Sequence, residues 1–220
     1  FANAAGAITF SGTGALAING EEAAAGFDFV TTAAAKTLTI TSVASGTLND
    51  ATLSNRILLG NGNTLRIVAG GTPVINSVVM SGTGTLDIDA SATVTTLTPT
   101  NNVTLDVAAG LTLTITNAVT VPTTKIVTFT GTNDASAETL TLTGGMTLTG
   151  PGGELNVIGD NTTAMVVTGT VTAGADGAVL DVDASASITA VNMTAALGDL
   201  TLQVATGKTL TTTVDVNDNT

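Results

Sequence analysis

The chain of 220 residues contains no cysteine, histidine, tryptophan or tyrosine. Each absence removes a class of chemistry. Without imidazole, no side chain has an ordinary pKa suited to proton transfer near neutrality. Without a thiolate there is no sulfur nucleophile and no soft metal ligand. Without indole or phenol rings the usual platforms on which sugars or bases stack are missing. The missing cysteines also exclude a small disulfide-stapled scaffold and leave the redox compartment undefined.

Charge is scarce as well. Seventeen acidic and 5 basic residues give a net charge of −12, and charged residues make up 10% of the chain, against about 25% in ordinary globular proteins. The basic residues, Lys36, Arg56, Arg66, Lys125 and Lys208, are too few and too scattered to form a phosphate-binding face, so nucleic acid is not expected as a partner. No run approaches the ~18 consecutive apolar residues of a membrane helix. Five phenylalanines cannot supply the two aromatic girdles of a membrane barrel, so membrane insertion is not expected. The first residue is Phe1 rather than Met, and the sequence is read as a processed chain or an excerpt.

What is present is strand-forming material. Threonine makes up about a fifth of the chain, 43% is hydrophobic, and Val, Ile, Leu and Thr alternate throughout, which is the pattern of pleated, half-buried strands rather than of disorder. The alternation also repeats. Leu, any residue, then Ile or Val occurs at Leu16-Ile18, Leu38-Ile40, Leu65-Ile67, Leu86-Ile88, Leu105-Val107, Leu155-Val157, Leu180-Val182 and Leu202-Val204. A degenerate copy, Val127-Phe129, falls in the longest gap, and Leu113-Ile115 lies outside the series. Four residues after each leucine stands a small residue: Gly20, Ser42, Ala69, Ala90, Ala109, Gly159, Ala184 and Thr206.

Four copies align without a gap over ten residues, DIDASATVTT from Asp87, DVAAGLTLTI from Asp106, DVDASASITA from Asp181 and QVATGKTLTT from Gln203. A second apolar column then falls at Val94, Leu113, Ile188 and Leu210. The unit is read as a strand, a tight corner at the small residue, and a second strand, with Leu86, Ile88 and Val94 inward and Asp87 and Asp89 outward. Glycine-rich connections at Ser81-Gly82-Thr83-Gly84 and Gly150-Pro151-Gly152-Gly153 supply turn chemistry.

Short strands also suit a β-sandwich. Residues 81–115 resemble 178–212, a spacing compatible with two sandwich domains, but Ser11 to Ile18 also matches Ser81 to Ile88 at an offset of 70. Both offsets are multiples of a coil of about 23 residues, the signature of a repeat architecture. The fold expected is all-β: a single-stranded parallel β-solenoid (β-helix) of about 9–10 coils of ~19–28 residues, right-handed by the crossover rule. Residues 1–220 form one continuous domain in this reading. Stacked at about 4.8 Å, the coils make a rod about 45 Å long.

GTGTLDIDASATVTT and GPGGELNVIGDNTT resemble the repeats of bacterial surface β-helices, the autotransporter passengers and filamentous-haemagglutinin-type adhesins, along nearly the whole chain. The resemblance implies export to the cell surface, a rod-like stalk and adhesive or structural duty, with a host or matrix surface as a partner. The chain differs from that class in showing no recognisable capping helix, membrane-anchoring barrel or secretion domain.

No catalytic, cofactor-binding or metal-binding residue is assigned from the sequence. Asp87 with Asp89, and Asp181 with Asp183, each project two carboxylates from one strand face, a geometry open to calcium, although a solvated acidic face is the preferred reading. In-register stacking places Arg66, Asp87 and Asp106 in one ladder. Gly207-Lys208-Thr209 lacks the glycine that a phosphate loop requires, because Leu202 stands in its place. Sequons at Asn102, Asn161 and Asn192 are no more than chance supplies.

Thr93 and Thr95, Thr112 and Thr114, Ser187 and Thr189, and Thr209 and Thr211 share one alignment position, so a hydroxyl face runs along part of the rod. Irregular coil lengths and breaks at Ala23, Val74 and Ala164 favour the plain reading, that threonine suits exposed strands. The expected role is a non-enzymatic extracellular building block whose uncapped ends join copies head to tail into a homopolymeric filament. A stalk fragment of a larger secreted adhesin is the alternative, with an ice-binding solenoid and a carbohydrate-active β-helix behind it.

Overall fold

The structure, a computed structural model, describes residues 8–10, 27–29, 37–40, 47–48, 57–68, 74–131, 136–159, 163–194 and 199–217. Among them the chain is all-β and its strands pair in parallel, as a β-solenoid requires. One nine-stranded sheet takes its members in chain order: Ile8–Phe10, Thr37–Ile40, Thr64–Ile67, Gly84–Ile88, Val103–Val107, Ile126–Gly131, Glu154–Ile158, Ala178–Val182 and Leu200–Val204. A second sheet, of twelve strands, carries the rest of each coil. Nine superposed strands span about 38 Å at the usual inter-strand spacing.

Leucine lies over leucine in the upper half. Leu38, Leu65, Leu86 and Leu105 pair consecutively, and all are fully buried. Below Leu105 the column changes hands. Leu105 pairs with Phe129, and Phe129 with Val157, while Leu155, Leu180 and Leu202 lie under Val127 in the neighbouring inward column. The expected single leucine column is therefore two, offset by two residues along the strand. A shift of two preserves which face each side chain takes, and Phe129, the largest fully buried side chain among the described residues, occupies the leucine's place at the changeover. Leu16-Ile18 lies outside the described residues; Ile8 pairs with Leu38.

Gly20, Ser42 and Ala69 lie outside the described residues; in the other copies the corners explain the small residues and correct the gapless alignment. After Ile88 and Val182 the chain turns within three residues, and Ala90 and Ala184 are buried in the bend. After Val107 and Val204 the corner holds two more residues, and Gly110 and Gly207 take it through positive φ, 69° and 78°, where a side chain would strain the backbone. Leu113 consequently pairs with Ala92 rather than Val94, and Leu210 with Ala186 rather than Ile188. Corners of different length are one place where the coil absorbs its irregularity, and columns from Leu38 to Val204 keep rungs of 19 to 28 residues.

Each coil also has a third apolar run that the two-strand unit omits. In Ala92–Pro99 the alternation breaks at Thr95 and Thr96, both outward, before Leu97 and Pro99 turn in. In Val74–Met80 it breaks at Asn76 and Ser77. In Met165–Ala173 the pairing itself shifts between Val167 and Thr170. Elsewhere the break opens into a turn, as at Thr143-Gly144 between Leu142 and Met146. The inward run resumes three or four residues on, at Val78, Leu97, Val119, Met146, Val171 and Val191, all buried. Three inward faces thus enclose one apolar core.

Among the described residues two polar or charged ones are fully buried, Asn63 and Glu138. Glu138 precedes Leu140 on the second sheet and packs against Gly131, where a Cβ would come within 2.5 Å of its carboxyl carbon.

Each buried Leu, Ile or Val contributes about 1.5–3 kcal/mol, but only if the rungs above and below cover it. Phe129→Ala should lower the unfolding free energy by about 3–5 kcal/mol in urea denaturation. Ile158→Ala, at a position 38% exposed, should change it by less than about 0.5 kcal/mol.

Candidate functional site

The outward side of the nine-stranded sheet carries Arg66, Asp87, Asp106, Glu154 and Asp181, with Asp89 and Asp183 in the corners that follow. Arg66 pairs with Asp87, and Asp87 with Asp106, so the expected ladder is present. The guanidinium leans past Asp87 toward the corner: its Nε donates to Asp89 Oδ2 at 2.6 Å, its Nη2 also contacts that oxygen, and Asp87 Oδ2 lies 3.3 Å from Nε. One cation therefore serves mainly Asp89, and Asp87 and Asp106 face each other across a rung. Burial, then the Asp89 and Asp106 carboxylates, push Asp87 up to about 6 against the pull of Arg66. Asp106 is raised by burial and then by Asp89.

A second acidic group stands lower on the sheet. Asp181 lies between Asn156 and Gln203, in the column of Thr104 and Thr128 rather than that of Asp87. The two Asp pairs, equivalent by alignment, thus occupy different columns, because the register shift at Phe129 separates them. Glu154 is raised by burial and then by Asp181 and Asp183; Asp181 is raised by burial and then by Asp183, partly offset by a hydrogen bond with the Val182 backbone. Among the described residues no group of three or more acidic side chains is arranged to hold a metal ion.

The other sequence candidates separate. Gly207-Lys208-Thr209 forms a strand-to-strand corner, not the loop-to-helix junction of a phosphate site. Asn102 is exposed and its Oδ1 accepts the Ile126 N–H at 3.1 Å. The Asn192 Oδ1 is buried, and Asn161 and Ala23 lie outside the described residues. A groove of about 240 Å³ between neighbouring rungs is lined by Thr83, Gly84, Thr85, Asn102, Val103, Thr104 and Thr128. Hydroxyls and an amide face it, without a carboxylate.

The threonines assemble differently from the alignment and more regularly. Thr114 pairs with Thr93 above and Thr141 below, and Thr141 with Thr168. Thr112 pairs with Thr139 beside them. Sequence reasoning missed this register because the two extra residues at the Gly110 corner displace Thr112 by one outward position.

The last described rung is open. Leu202 and Val204 continue the two inward columns of the first sheet, yet they are 47% and 41% exposed, and Val214 is 49% exposed. No helix among the described residues is long and apolar enough to cross a membrane. The architecture defines the class, a parallel β-solenoid with an acidic face and threonine-rich faces. Comparison with models of known protein families, with curated proteins and with solved structures finds no match.

The raised acids carry a pH dependence of definite sign. Each titrates higher in the fold than in the unfolded chain, so stability is full below about pH 4 and falls as pH rises through the folded pKa, about 6 for Asp87. The urea midpoint should therefore drop between about pH 4 and pH 7. Asp87→Asn should recover on the order of 1 kcal/mol at neutral pH, the value left after solvent screening of a partly exposed pair, and flatten the profile. An unchanged midpoint across that range would remove the repulsive ladder.

Proposed function

We propose that the chain is a non-enzymatic structural module of an extracellular filament, in which copies stack end to end and continue the solenoid from one chain to the next. The observation that carries this reading is the exposed apolar end. Leu202, Val204 and Val214 belong to inward positions that elsewhere are covered by a following rung. Among the described residues the strands Leu200–Val204 and Leu210–Asn217 pair on one side only, and such an edge invites a further strand. At the opposite end of the first sheet stands Ile8–Phe10, in a stretch, residues 1–20, with no charged residue to oppose docking. A contact between unlike ends is heterologous and grows without closing.

The surface location rests on the resemblance to bacterial surface β-helices. The non-enzymatic reading rests on the missing histidine and cysteine and on a groove lined by hydroxyls. Ile8 shares its column with Val204 through Leu38, Leu65, Leu86, Leu105, Phe129, Val157 and Val182, so a continuous junction sets Ile8 of one copy over Val204 of another.

Sedimentation velocity and electron microscopy of the purified chain test this. Rods longer than one subunit, shortened to monomers by Leu202→Lys with the fold retained by circular dichroism, are expected. A monomer at millimolar concentration would reject self-assembly and favour a stalk in which further rungs of a longer polypeptide cover the same end.

A further inference from the structure

Over residues 93–95, 112–116 and 139–143 the second sheet presents an outward face with no charge and no aromatic ring, and its hydroxyls stand on a grid. The core of that grid is two rungs, Thr112, Thr114 and Thr116 over Thr139, Thr141 and Thr143. The first two columns are paired in register. The third follows from the ladder, in which the Thr116 N–H donates to the Val94 carbonyl and the Thr143 N–H to the Ile115 carbonyl. Thr93 and Thr95 extend the grid on one side and Thr168 on the other, beside Val166. Ser187 and Thr211 continue one column toward the open end. The inward partners Leu113, Ile115, Leu140 and Leu142 are buried and hold each rung in place.

The hydroxyls are available. Among the described residues, only Thr95 of these grid threonines uses its hydroxyl within the protein, donating to Asn76 Oδ1 at 3.5 Å. Irregular coil lengths do not disturb the array, because the extra residues fall outside it: Thr93 to Thr114 spans 21 positions, and Thr114 to Thr141 and Thr141 to Thr168 span 27 each. Stacked side-chain ladders of this kind also keep a sheet flat.

The spacing identifies the ligand. Neighbouring rungs lie about 4.8 Å apart, and alternate residues along a strand about 6.7 Å apart. Oxygens joined by hydrogen bonds of about 2.8 Å at tetrahedral angles place second neighbours about 4.6 Å apart and extended third neighbours about 7 Å apart. One water bridges threonines across rungs, and two bridge them along a strand, without departing from tetrahedral geometry. The threonine methyl groups between the hydroxyls offer no competing hydrogen bond. We propose that this face binds ice, by fixing a water layer that is continuous with the crystal lattice. A charged face, such as that of Asp87 and Asp106, would orient water around ions instead.

Thermal hysteresis and ice recrystallisation of the purified chain test the proposal. The wild-type chain should hold a freezing gap and suppress recrystallisation. Thr114→Tyr with Thr141→Tyr should reduce the gap at least tenfold while the circular dichroism spectrum and urea midpoint stay unchanged. Should that pair disturb folding, Thr116→Tyr with Thr143→Tyr, at exposed positions, should give the same loss. Asp106→Asn on the other face and Leu202→Lys at the end should leave the gap intact, which separates this face from end-to-end assembly. A wild-type chain with no hysteresis, or hysteresis that survives tyrosine in the grid, would overturn the proposal. Dimers that disappear in the tyrosine variants, without any effect on ice, would overturn it in favour of an interface between copies.

Discussion

The structure depends on the burial of each apolar side chain by its equivalents one rung above and one rung below. A single coil has no interior of its own: its three inward runs enclose space that only neighbouring coils fill. The constraint is therefore vertical, and it acts column by column. Parallel in-register pairing satisfies the backbone along the same axis, so hydrogen bonding and apolar burial favour one alignment. At the last described rung, where Leu202, Val204 and Val214 are exposed, the same chemistry that closes the core leaves an apolar end.

Because the columns are fixed, variation is confined to the corners and the breaks between faces. Short corners bury alanine at Ala90 and Ala184; long corners turn through glycine at Gly110 and Gly207. Loops and breaks take up the remaining length. This separation lets the outward faces diverge. One collects carboxylates around a single arginine and titrates at raised pKa. Another repeats threonine on a two-dimensional spacing. The rod is consequently different on different sides, although every rung obeys the same inward rule.

Much of this was legible in the sequence. Alternation and the spacing of the leucines specify stacked parallel rungs, and stacking alone places Arg66, Asp87 and Asp106 in line. The shift at Phe129 was not legible, since a displacement of two residues keeps every side chain on its face and leaves the hydrophobic pattern unchanged. For the same reason a gapless alignment paired Thr93 with Thr112 when the longer corner pairs it with Thr114. The third inward run was hidden by ordinary residues: Thr95-Thr96 and Asn76-Ser77 look like any strand, and only two consecutive polar positions between apolar ones mark the break. Glu138 lacked any signal, because a carboxylate next to Ala137 reads as loop rather than as part of a core.

The register across the changeover is the most direct test. The chain has no cysteine, so a single engineered pair reports without background. Asp106→Cys with Thr130→Cys joins residues paired across a rung, whose Cα atoms lie about 4.8 Å apart, within the range that a disulfide spans. Asp106→Cys with Thr128→Cys, the pair that places Leu105 over Val127, lies on a diagonal of about 8 Å, beyond that range. Rapid, quantitative oxidation of the first pair and none of the second is the predicted result. Oxidation of the second pair in preference, or of neither, would contradict the stacked columns on which the account rests.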